Sequence, residues 1–182
     1  MIIRGYDYEY DKMDRCVDRA NELLKDPDFY EKISQKDSFD MSTASPVYIA
    51  KKMKEKLGVL HCHVKLYRGR RWSKALAYFT PSDPDAIYIN TRRLGRSDGS
   101  VIATIVHEWV HLVDSDDLKE SFGHGSNSPV GKQNTAPYWI DNLAQGMIDQ
   151  VEDYNNNESS NIVYRLKFRY RVARWFRRLF GR

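Results

Sequence analysis

The spacing of apolar residues changes period several times along the chain. Over residues 11–24 they fall at Met13, Val17, Ala20 and Leu24, one face of a helix that must stop before Pro27. Ser45-Pro46 supplies a cap and a first-turn proline for a second helix that ends at Gly58. Residues 59–67 alternate and are rich in β-branched and aromatic side chains, which predicts a strand. Two further strands are predicted over 76–79 and 86–90, joined by the turn-prone run Pro81-Ser82-Asp83-Pro84-Asp85. Asp98-Gly99-Ser100 opens a helix over 100–115. A loop rich in Gly, Ser and Asn follows, and Thr135-Ala136-Pro137 starts a last helix running to about Val151. Glu152 to Asn161 is almost wholly polar, which divides the chain into a body (1–152), a linker (153–161) and a tail (162–182).

The 100–115 helix is apolar over most of its surface: Val101, Ile102, Ala103, Ile105, Val106, Trp109, Val110, Leu112 and Val113 belong in a core. Its polar residues Thr104, His107, Glu108, His111 and Ser115 form one stripe. Polar groups on a buried rod need partners, and a metal ion is one that imidazoles can share. Residues four apart project from the same side, so His107 and His111 can converge on one tetrahedral zinc ion. Glu108, beside the first histidine, is then placed next to the ion as general base for a water that the metal activates.

A catalytic zinc takes three protein ligands. His124 is the preferred third, because Gly123 and Gly125 on either side permit a close return of the chain. Asp114, Asp116, Asp117, Glu120 and Asp141 compete for the same role. His61 and His63 alternate onto one strand face with Cys62 opposite, and ordinary strand side chains account for them. Tyr138 or Asn134 is a candidate oxyanion donor.

His107-Glu108-Trp109-Val110-His111 resembles the zincin signature, and Gly123-His124-Gly125 is similar to the element that completes the site in SprT-like metallopeptidases. The resemblance covers about residues 45–127. It implies an α+β, zincin-like fold in which a small mixed sheet packs on the active-site helix, with further helices. It also implies Zn2+ as cofactor, His107, His111 and His124 as ligands, and Glu108 as base. The run Ala86-Ile87-Tyr88-Ile89-Asn90 resembles the edge strand that precedes such a helix. Tyr88 and Asn90 are therefore expected to lie on a strand that pairs with an extended peptide or protein substrate.

Composition adds bounds to this picture. A hydrophobic share of 41% with 30% charge excludes a disordered chain. No apolar run is long enough for a transmembrane helix. The start of the chain turns polar at once, so a cytoplasmic protein is expected, with export by a signal-independent route left open. Cys16 and Cys62 are too few for a disulfide framework and are expected as packed thiols. Eight basic residues and no acid occupy the last eighteen positions, and without them the chain holds 21 basic against 25 acidic residues. Residues 164–182 combine bases with aromatic side chains, a composition suited to anionic membrane, to nucleic acid, or to the acidic body itself. Two function classes follow: a zinc-dependent hydrolase of the peptidase type, and a membrane- or nucleic-acid-binding protein with a structural metal.

Overall fold

The structure is a computed structural model that describes residues 3–4, 11–123 and 131–156. It is of the α+β class and divides into a unit Met1–Asp149 and a second unit Gln150–Arg182. The tail, with its candidate membrane and nucleic-acid partners, lies outside the described residues, as does His124.

In chain order the elements are β1 (Ile3–Arg4), α1 (Asp11–Leu23), α2 (Pro27–Ser34), α3 (Pro46–Leu57), β2 (Cys62–Tyr67), β3 (Ala77–Phe79), β4 (Ala86–Asn90), α4 (Asp98–Ser115) and α5 (Ala136–Asn156). A 3-10 turn, Thr91–Arg93, links β4 to the approach to α4. Two elements were not expected. The two-residue β1 pairs in parallel with β2. Helix α2 begins at Pro27, where Asp26 caps by accepting the Asp28 N–H, and it buries Phe29, Tyr30 and Ile33. Strand β2 starts three residues later than the alternation suggests, because Val59 and Leu60 close the end of α3 through N–H bonds to the Lys56 carbonyl. Helix α5 runs through Asn156, into the stretch expected to be linker.

The sheet order is β1-β2-β4-β3, with β2 parallel to β4 and β3 antiparallel to it. This corrects one expectation. β4 is bonded along both sides, so Tyr88 and Asn90 offer no free backbone to a substrate, and β3 is the edge strand instead. The burial of four of the five β4 residues agrees with an interior position.

Helix α4 packs against α1, α3, β3 and β4. Trp109, Ile102, Ile105, Val106, Val110 and Val113 are fully buried there, together with Ile87 and Ile89 of β4 and Ala136, Ile140 and Ala144 of α5. Cys16 and Cys62 are buried free thiols. Among the described residues no helix is long and apolar enough to cross a membrane.

Candidate metal centre

Ser97 caps α4 by accepting the Ser100 N–H at 3.2 Å, and Asp98 places negative charge at its first turn. The helix is buried almost throughout, yet Thr104, His107 and Glu108 remain among its buried residues. Thr104 is satisfied locally: its hydroxyl bonds the Ser100 carbonyl and receives Arg96 at 2.9 Å. Ser115 bonds the Leu112 carbonyl. The middle of the stripe is satisfied by another element.

Helix α5 presents Tyr138 and Asp141, three residues apart and hence on one face, to His107. Asp141 Oδ2 lies 2.8 Å from His107 Nδ1. The Tyr138 ring meets the His107 ring edge-on at 4.7 Å. Burial pushes the Asp141 carboxyl above the usual range, while its bond to His107 works against that rise. When Asp141 is ionised it can only accept, so Nδ1 then carries the proton and His107 presents the Nε2 lone pair. That Nε2 lies 3.3 Å from His111 Nε2.

The donor set can be tested against zinc on this distance. Two Zn–N bonds of about 2.0–2.1 Å at a tetrahedral angle span about 3.3 Å. The paired nitrogens fit that span, and His107 already has the outer hydrogen bond that metal-ligating imidazoles need. Two ligands do not make a complete site. Among the described residues no group of three or more His, Cys, Asp or Glu side chains is gathered to hold an ion.

The competing carboxylates are engaged elsewhere. Asp114 Oδ1 accepts the Phe122 N–H at 2.8 Å. Asp116 pairs with Lys56. Asp117 takes the Tyr48 hydroxyl and the Lys119 N–H, and the charge of Glu120 is felt at the same Tyr48. Asp116, Asp117 and Glu120 thus lie toward α3. Asp141 is at the site, but its bond is to the Nδ1 side of His107, the position of a partner behind a ligand. Asn134 donates to Asp40 at 2.9 Å and is not part of the cluster. His61 and His63 are exposed on or beside β2.

The chain leading to His124 is pinned. Thr43 and Ala44 donate to the Ser121 carbonyl, Phe122 is fully buried, and Gly123 adopts φ +75°. A Cβ on Gly123 would lie 2.4 Å from the Met41 carbonyl oxygen, so only glycine fits that approach. Gly123 is thus held where the segment tied to Asp114, one turn beyond His111, ends.

Glu108 lies between the helix and the sheet, 8% exposed. Burial pushes its carboxyl from an ordinary 4.5 up to about 7, and Asp141 adds to the rise. His107 and a hydrogen bond from the Phe79 backbone N–H oppose it. The Tyr138 and Tyr67 hydroxyls are both raised, chiefly by burial, and both feel the Glu108 charge. Residues from α4, α5 and the edge strand β3 therefore meet at one place. The Phe79 N–H and the partnership of Asp141 with His107 were not foreseen, although the Tyr138-x-x-Asp141 spacing carried a local hint of the second.

Comparison with protein-family models, curated proteins and solved structures gives no match.

Proposed function

We propose that the chain is a zinc-dependent hydrolase of the peptidase type, with a zincin-like arrangement in which His107 and His111 hold the metal and His124 completes the set. The observation that carries this reading is the pair of Nε2 atoms 3.3 Å apart on a buried helix, one of them oriented by Asp141. When bound, zinc would supply a strongly acidified water and a positive charge to polarise a scissile carbonyl.

The remaining work falls to the chain's own residues. Glu108 sits one residue from His107, beside the place a metal would occupy, and is the group that would take a proton from the water there and return it to the leaving group. The Phe79 N–H fixes the direction of that carboxylate. Asp141 fixes the tautomer and ring angle of His107. Tyr138, whose ring packs against His107, would be the donor of a hydrogen bond to a developing oxyanion. The outer edge of β3 runs beside Glu108, so an extended peptide added there would pass the proton carrier.

The test is elemental analysis combined with turnover of a mixed peptide library. About one zinc per chain is expected, lost in His107→Ala and kept in Glu108→Gln, with turnover lost in both. A clean preparation that never binds zinc, or a Glu108→Gln protein that still cleaves, overturns the reading.

A further inference from the structure

One surface feature lies in the loop that leads into β3 and has no role in the proposed metal centre. Residues 66–82 contain Arg68, Arg70, Arg71 and Lys74 and no acidic residue, although acids outnumber bases in the chain ahead of its tail. All four bases are exposed, and none makes an ion pair or side-chain hydrogen bond to the described residues. Trp72, in their midst, is 77% exposed.

The loop is nevertheless built. The Asn90 amide, fully buried, accepts the Gly69 N–H at 3.1 Å and donates to the Ala75 carbonyl at 2.9 Å, tying the two ends of the loop together. Arg92 Nε reaches the Gly69 carbonyl at 2.8 Å, and Arg93 bonds the Ser73 carbonyl. A Cβ on Gly69 would stand 2.5 Å from Asn90 Nδ2, so the loop closes onto that amide at its glycine. Loop ends held this way lose little freedom on binding.

The loop leads directly into β3, the sheet edge whose Phe79 N–H points at Glu108. We propose that Arg70, Arg71 and Lys74, with Trp72, bind acidic residues flanking the point of attack in a polypeptide that adds as a strand to the outer edge of β3. This rests on the peptidase reading for the role of Glu108 beside that edge. The occupant is a polypeptide because strand addition needs a peptide backbone, whereas a nucleic acid would use the charge and leave the edge empty. Lys74 precedes Ala77 by three residues, so the acidic contact falls about 10 Å along the strand from the paired segment. An antiparallel addition puts those residues C-terminal to the paired segment, and a parallel one puts them N-terminal.

The test uses the full chain carrying Glu108→Gln, so that binding is read without turnover. Three labelled peptides share one neutral extended core, with acidic residues after it, before it, or replaced by glutamine, and affinity is read by fluorescence anisotropy. One acidic arrangement should bind about tenfold tighter than the glutamine peptide, the gap closing near 0.5 M salt, where screening acts within about 4 Å. The triple change Arg70→Gln, Arg71→Gln, Lys74→Gln should abolish the preference and leave the affinity for the glutamine peptide unchanged, which also reports an intact fold. Equal binding of all three peptides, no measurable binding, or a preference that survives the triple change overturns the proposal. So does tighter binding, through the same residues, of a single-stranded oligonucleotide or an anionic phospholipid vesicle. Lack of turnover in the zinc-loaded wild-type protein overturns the peptidase reading and leaves the anisotropy result standing.

Discussion

Glu108→Gln removes a carboxyl from a position where burial disfavours its charged form, and the consequence for stability follows from the direction and size of the shift. In the unfolded chain the group titrates near 4.5, and in the metal-free fold near 7. A raised folded-state value means that the protonated form stabilises the fold. That contribution is fully present below about 4.5 and is lost as the pH rises through about 7. At 1.36 kcal/mol per unit, holding Glu108 ionised at pH 8 costs the metal-free wild-type protein about 3 kcal/mol relative to low pH. Glutamine has no charge to desolvate and keeps an oxygen for the Phe79 N–H, while burying its amide costs about 1 kcal/mol. The variant should therefore be more stable than wild type at pH 8 by about 2 kcal/mol, with the gain gone at pH 4.5. Asp114 also titrates in a raised range but is common to both proteins and cancels in the difference, whereas Asp141 repels the Glu108 charge, so its ionisation is easier in the variant and adds to the gain at pH 8. Urea unfolding in chelator, followed by tryptophan fluorescence, reads this as a midpoint shift of about 1 M for an m-value near 2 kcal/mol/M. A difference between variant and wild type that is the same at both pH values would refute the argument, as would a variant less stable at pH 8.

Three further outcomes follow from other contacts. Asp141→Asn should weaken zinc binding by roughly 10–100-fold in a competition titration, because a neutral amide, which can donate as well as accept, no longer dictates the His107 tautomer. Asn90→Ala should destabilise the protein by about 2–3 kcal/mol in urea, since it leaves Gly69, Ala75 and Arg92 backbone groups without their partner. It should also expose the 68–76 loop to proteolysis. Gly123→Ala should cost about 2 kcal/mol or more, through both its positive φ and the contact with the Met41 carbonyl, seen as a lowered melting temperature.

How much of this was legible in the chain depends on whether each feature is local. The α4 stripe was readable because helical periodicity is written within eighteen residues, and the same segment places His107, Glu108 and His111 on one face. The caps at Ser45 and Ser97 are local chemistry too. Helix α2 was equally local, with Asp26-Pro27 as its start, but its eight residues give too short a period to stand out. The sheet is a different matter. Whether a strand is an edge or lies between two others is decided by partners remote in sequence, and the alternation of β4 says nothing of them. Its nearly unbroken apolar content was the one hint that it lies inside. The meeting of Asp141 with His107 joins residues 34 apart, and the tie from Asn90 to Gly69 joins residues 21 apart. Sequence by itself determined that His107, Glu108 and His111 share one side of α4, because helical spacing fixes their face. Only the tertiary structure decided which carboxylate stands behind His107, which strand borders Glu108, and where the basic loop lies, because packing brings distant segments together for reasons no short window contains.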